Sequence, residues 1–399
     1  MATADPQEQL VLISAATAHR RAAAAARVRA LASVVEWASL AELLQARRLL
    51  PTLGPRIVEL APEQASDEFK QAVQRSLGTA HRHGSLLKML AERALRLLTE
   101  AGIHATALKG PRLAERLYGD PGRRLTNDID LLVSAEQLRE AVETVRTLGY
   151  ASPSDHVEGG LPLLHYALTH ERGELPPIEL HWRVHWYEQD FARERLLPPS
   201  GADAWSWRAA PADELAALLL FYAKDGFFDL RHATDVGALW DAERERLPAG
   251  ALGEVIDAYP ALGRALTTAA SVAQRTVGLP AKRLMALDRR LGARAQIAAR
   301  IASPLPRASA PQLYAEMGLV DGLLAPTGGL QAFVRRQILP PRGVLRERAR
   351  EPGQRAGSPL GHGARVLARY ALALARVPMR RPNARVPFRT RRALLTWRK

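Results

Sequence analysis

The 399-residue chain contains no cysteine. Disulfides, zinc–thiolate centres and cysteine nucleophiles are excluded by that alone. Lysine is nearly as scarce. It occurs only at positions 70, 88, 109, 224, 282 and 399, so arginine supplies almost all the positive charge. No uninterrupted apolar run approaches a membrane span. Residues 10–13 are too short for a signal-peptide core, and they follow Asp5 and Glu8 where positive charge would be needed. A cytoplasmic protein is expected. Walker-type phosphate loops, dinucleotide fingerprints, His-Glu-x-x-His helices and Gly-x-Ser-x-Gly elbows are also missing. No internal repeat is visible.

What is present is ordinary in bulk. Apolar residues make up 47% and charged residues 24%, as in soluble globular proteins, and the length allows two or three domains. The net charge of +15 is not spread evenly. Residues 331–399 hold 18 Lys+Arg against two acids, Glu347 and Glu351, a local +16, while the rest carries 38 against 39. The body is neutral and the end is a basic tail. The tail lacks the aromatic interleaving of a single-strand binder. Two readings stay open for it: a disordered arginine-rich end, or a segment that binds an anionic partner, either nucleic acid or a membrane surface.

Residues 8–98 read as helices, rich in alanine, leucine and arginine. Pro51, Gly54 and Pro55 are expected to break the pattern. A second helical run covers residues 66–100, with Phe69, Val73, Leu77, Leu87, Leu90, Leu95 and Leu98 as core candidates. At Gly102 the character changes. Residues 103–108 form a short apolar strand. Gly110 allows a tight turn, Pro111 suits the first position of a helix, and Gly119 ends that helix. An apolar strand with two acids follows, Asp128-Ile129-Asp130-Leu131-Leu132-Val133. Ser134 and Gln137 have capping-box spacing before the next helix. Strands are expected at 163–169 and 178–186, the second with strict alternation: Ile178, Leu180, Trp182, Val184 and Trp186 against Glu179, His181, Arg183 and His185. Residues 103–186 therefore make an α/β unit of about four strands and two helices. Pro211 opens a second helical region, and within the tail residues 364–376 could form an amphipathic helix, with loose packing elsewhere. The expected divisions are 1–98, 99–205, 206–325 and 326–399.

The chemistry sits in the acids. Strand alternation points Asp128 and Asp130 the same way. Paired carboxylates repel and lose hydration, and a divalent cation is the usual reason to keep them. Glu179 also lies opposite an apolar strand face. If the two strands are neighbours, three carboxylates converge and can hold one or two Mg²⁺ ions. Such a site can polarise a nucleoside triphosphate and bring a hydroxyl to its α-phosphorus. The Gly110 turn offers a helix start to phosphate oxygens, and Lys109, Arg123 and Arg124 add positive charge. Without metal the three acids are expected to raise one another's pKa values, at an exposed edge of the sheet. His181 faces the same side as a phosphate or acceptor contact, a proton carrier, or a plain hydrogen-bonded strand histidine, while His185 reads as the last of these. Trp182 and Trp186 read as core. Arg231 and Asp235 read as an i,i+4 ion pair, and Lys224 and Asp225 as a solvated face.

This pattern resembles the nucleotidyltransferase superfamily of DNA polymerase beta, with its glycine turn, acid-x-acid strand and third acid on a later strand. It is more closely similar to the uncharacterised bacterial nucleotidyltransferase family within it. The matching residues are Leu108-Lys109-Gly110, Tyr118, Arg124, Asp128 to Val133 and Glu179-Leu180-His181-Trp182. The resemblance covers roughly residues 30–250 and excludes the tail. Gly110-Pro111 replaces the superfamily's Gly-Gly or Gly-Ser, and the gap from Gly110 to Asp128 is long; both traits fit the closer family. The resemblance implies an α+β fold, a small mixed-sheet core flanked by N- and C-terminal helical segments. It implies catalytic and metal-binding roles for Asp128, Asp130 and Glu179, two Mg²⁺ ions, and an NTP held by Lys109, Gly110, Arg124 and His181. It also allows Arg231 and Asp235 to face the cleft instead of pairing with each other. The acceptor it suggests is a sugar, a peptide or another protein. The alternative is a catalytically inactive relative that binds nucleotide or an anionic partner.

Overall fold

The computed structural model describes residues 5–151, 164–188, 190–199, 201–285, 291–306, 309–340 and 358–376. The first hundred residues form α1 (Pro6–Ala15), α2 (Ala18–Ala23), α3 (Ala25–Ala32), α4 (Trp37–Ala46), α5 (Leu50–Leu60) and α6 (Asp67–Glu100). Ser66 starts α6 by accepting the Phe69 amide at 3.2 Å, which satisfies one of the free N–H groups at a helix start. Phe69, Val73, Leu87, Leu95 and Leu98 recur at helical spacing and are buried, while Leu77 and Leu90 are half-buried.

The break expected at Pro51–Pro55 does not occur, because all three residues lie inside α5. Pro51 falls in the first turn, where its missing N–H is not needed. Pro55 forfeits one backbone bond, and burial of Leu50, Leu53 and Ile57 offsets it, at about 2 kcal/mol for each fully buried side chain. Gly54 lets α5 lie against α6, since a Cβ there would meet Val73 Cγ2 at 2.7 Å.

The sheet has five strands: β1 (Ala105–Ala107), β2 (Ile129–Val133), β3 (Tyr150–Ala151), β4 (His165–His170) and β5 (Ile178–His181), in the order β1-β2-β5-β4-β3. The β2–β5 pair is parallel and the others antiparallel. Helices α7 (Pro111–Tyr118) and α8 (Leu138–Arg146) connect strands. Gly119 closes α7 at φ +78°, and Ser134 Oγ accepts the Gln137 amide at 3.2 Å. The short β3 was not foreseen, and Leu163 of the strand expected at 163–169 lies outside the described residues. The strand expected over 178–186 is four residues long. Its continuation bends because the Glu188 carboxylate accepts the amides of Val184 at 2.7 Å and Ala192 at 3.1 Å.

Strand parity separates two cores. Ile129, Leu131, Val133, Ile178 and Leu180 pack with α6 and α8 in the smaller one. The larger core joins the N-terminal helices to α9 (Pro211–Lys224), α10 (Leu230–Glu243), α11 (Ala251–Ala258), α12 (Gly263–Thr276), α13 (Ala281–Met285), α14 (Ala293–Ile301), α15 (Ala310–Leu324) and α16 (Leu330–Phe333). The amphipathic helix of the tail is α17 (Pro359–Arg376), docked through Tyr370 and Ala373. Loose packing was expected in the rest of the tail; residues 331–340 instead pack through the buried Phe333 and Arg336, while 341–357 and 377–399 lie outside the described residues. Among the described residues no helix is long and apolar enough to cross a membrane.

Candidate functional site

The parallel register pairs Asp130 with Glu179 across β2 and β5. Asp128 stands just before β2 and shares the face of Asp130. Ligand oxygens of Asp128, Asp130 and Glu179 all lie within 4.8 Å of one another. The convergence is as expected, but its place is not an exposed edge. Both strands are interior to the sheet, so Asp130 is buried and its two companions are half-buried.

The loop that delivers the acids is held from both helical segments. The Arg123 carbonyl accepts Thr52 Oγ1 of α5. Arg124 Nε meets Asp235 Oδ2 of α10 at 2.5 Å. The Leu125 carbonyl accepts Arg231 Nη1 at 2.9 Å, and the Thr126 carbonyl accepts His83 Nε2 of α6 at 2.8 Å. Thr126 Oγ1 then donates to Asp128 Oδ1. The turn before the loop touches α6 so closely that a Cβ on Gly84 would lie 2.4 Å from the Gly122 nitrogen.

Charge around Asp130 is compensated locally. Its Oδ1 accepts Lys109 Nζ at 3.0 Å and His181 Nε2 at 3.0 Å. Burial pushes the Asp130 carboxyl up, but the Lys109 ammonium and the His181 bond outweigh it and hold the group well below the usual carboxylate range. Burial likewise opposes ionisation of Glu179, yet the His181 bond leaves it lowered. The mutual raising of carboxyl pKa values expected from three clustered acids is therefore overturned for Asp130 and Glu179, because two cationic groups interleave with them. Burial lowers His181, and its bonds to Asp130 and to Glu179 at 3.2 Å bring it above its ordinary value.

The other expected residues fall as follows. Gly110 precedes α7 at φ +81°, a conformation that glycine accepts freely. Arg124 is not brought to the acids; it is buried against Asp235, which also accepts the Tyr118 hydroxyl at 2.7 Å. The expected Arg231–Asp235 pair does not form, since Arg231 pairs with the helix-capping Asp229 at 2.6 Å and Asp235 is taken by Arg124. His185 is buried and accepts the Tyr187 amide at 3.4 Å. Trp182 packs at the edge of the smaller core, and Trp186 lies under the Arg336 guanidinium at 4.6 Å.

Lys224 and Asp225 are not a solvated face. They pair at 3.1 Å, half-buried at the end of α9. Burial lowers Lys224, but Asp225 raises it overall, and the charges of Asp130 and Glu179 also reach it. Phe221, one turn earlier, has Lys109 Nζ 5.0 Å and Lys224 Nζ 6.0 Å from its ring centre, and the His181 ring at 6.2 Å. Two of the chain's six lysines thus flank one ring beside the acids. The sequence signal for Lys224 was that scarcity. His165 was also missed. It pairs in register with His181, and the two rings lie 4.6 Å apart. Alternation within 163–169 would have put it on the acid-bearing face.

The donor set suits a hard divalent cation. Asp130 Oδ2 is buried and has no hydrogen-bond partner among the described residues, as a carboxylate oxygen reserved for a metal would be. A mixed sheet with a glycine turn, an acid-x-acid strand and a third acid in register beside it defines a nucleotidyltransferase-type domain. The chain matches the model of an uncharacterised nucleotidyltransferase family over residues 33–278, well over half its length, and belongs to that family. No curated protein matches the chain.

Proposed function

We propose that this protein is a metal-dependent nucleotidyltransferase. It moves a nucleoside monophosphate from an NTP to an acceptor hydroxyl on a sugar, a peptide or a protein. The acceptor oxygen bonds to the α-phosphorus, the bond to the β-phosphate oxygen breaks, and pyrophosphate leaves. The hydroxyl proton passes to Glu179 or to water. Asp128 and Asp130 would hold two Mg²⁺ ions, and Glu179 would complete the set nearest the acceptor. When bound, the magnesium would acidify the acceptor hydroxyl and neutralise charge on the phosphates. Lys109 and Lys224 offer ammonium groups to the triphosphate, with the Gly110 turn beside them. His181 positions Asp130 and Glu179 by bonding both. Arg124, spent on Asp235, acts by fixing the loop.

The observation that carries this reading is the convergence of three carboxylates within 4.8 Å on one sheet face. Its test is pyrophosphate release across the four NTPs and a small acceptor panel. The parent should release pyrophosphate only with a divalent ion, and Glu179→Gln should abolish it. Release that is unaffected by Glu179→Gln would remove Glu179 from the site.

One observation favours a second reading, a binding protein without catalysis. The Lys109 ammonium already satisfies Asp130 Oδ1, as an ammonium substituting for a metal would. Calorimetry separates the two. NTP binding that is equally tight with and without Mg²⁺ supports the non-catalytic reading, and Mg²⁺-dependent binding supports the enzyme.

A further inference from the structure

The acid cluster continues across the sheet into nitrogen donors. On β5, Glu179 and His181 are two residues apart and share a face. On β4, His165 lies directly opposite His181, and Ala167 lies opposite Glu179. The small side chain of Ala167 leaves the space beside Glu179 to the histidines. His165 Nε2 approaches Glu179 Oε2 at 3.5 Å and His181 Nε2 approaches the same oxygen at 3.2 Å. One donor atom from each of the three residues lies within 4.8 Å of the others. Asp130 Oδ2, in the same cluster, is buried and has no hydrogen-bond partner among the described residues.

We propose that His165, Glu179 and His181, whose Nε2 would exchange its bonds to Asp130 and Glu179 for the ion, form a mixed nitrogen–oxygen site for a transition-metal ion of the manganese-to-zinc series, sharing the Glu179 carboxylate with Asp128 and Asp130. The chemistry follows from donor type. Carboxylates alone suit magnesium, whereas imidazole nitrogens favour ions further along the Irving–Williams order. Two strand-borne imidazoles in register provide a rigid pair of such donors. The protein would therefore hold a transition ion at Glu179 more tightly than it holds magnesium. The inference rests on the proposed function only in taking Glu179 to be a metal ligand.

The test is Mn²⁺ binding to the full-length protein, read by electron paramagnetic resonance with detection of ¹⁴N coupling to the bound ion. The expected result is Mn²⁺ coupled to imidazole nitrogen, displaced by Zn²⁺. His165→Ala should weaken Mn²⁺ binding by at least about tenfold, since loss even of an outer partner costs that much, while Mg²⁺ affinity changes less. The measurement on the unaltered protein does not depend on the variant folding. Mn²⁺ bound with no nitrogen coupling would overturn the histidine site and leave the three-carboxylate reading standing. No Mn²⁺ binding at all would overturn both.

Discussion

Asp130→Asn keeps the shape of a buried side chain and removes one charge, and two effects then oppose each other. Asp128 and Glu179 repel the Asp130 carboxylate, so its loss relieves strain. Lys109 and His181, each 3.0 Å from Oδ1, keep an acceptor there but lose its negative charge. The direction of the Asp130 titration decides the balance: the carboxyl is held far below its ordinary range despite burial, so attraction wins and the variant should be less stable. Breaking a buried pair costs about 3–5 kcal/mol. Here His181 keeps Glu179 at 3.2 Å, and the Lys109 side chain is 13% exposed. The expected cost is therefore at or just below the low end, about 2–3 kcal/mol. Urea denaturation at pH 7 without divalent ions measures it. Mg²⁺ at about a hundredfold its Kd should then add about 2.7 kcal/mol to the parent and much less to the variant. A variant as stable as the parent in the absence of metal would refute the compensation argument, because repulsion among the acids would then dominate.

Gly84→Ala places a Cβ 2.4 Å from the Gly122 nitrogen and 2.5 Å from the Pro121 carbonyl carbon; neither backbone atom can give way cheaply, so stability should fall by about 1–3 kcal/mol or more, and an unchanged urea midpoint would contradict the close approach. His185 is fully buried and lowered from 6.5 to about 3. Its folded value lies below the unfolded one, so this contribution to stability is complete above pH 6.5 and is lost as pH falls towards 3. Between pH 7 and 5 the parent should lose about 2 kcal/mol that His185→Asn retains, measured as the difference in their urea stabilities at the two pH values.

Much of this was legible because it rests on local pattern. The 34-residue α6, the Gly110–Pro111 entry to α7 and the shared face of Asp128 and Asp130 follow from periodicity and turn chemistry. The convergence of Glu179 followed from parity once both apolar faces were assigned to one core. What stayed hidden depends on contacts between distant segments. Composition could not show that Pro51 and Pro55 lie within α5, since burial against α6 decides it. Nothing near Glu188 announces that its carboxylate will bend the chain after His181. Arg231 and Asp235 had ideal helical spacing, yet each found a partner elsewhere, Asp229 for one and Arg124 for the other. Lys224 looked like a surface residue until α9 set it beside the acids.

The most direct measurement is transfer of labelled nucleoside monophosphate from α-labelled NTP in the presence of Mg²⁺, comparing the parent with Asp128→Asn and Asp130→Asn after each is shown to be folded. The account predicts that the parent transfers label with one pyrophosphate released per transfer, that chelation of the metal stops it, and that each substitution lowers the rate by at least about a hundredfold. Transfer at the parent rate by either folded variant would contradict the three-carboxylate site.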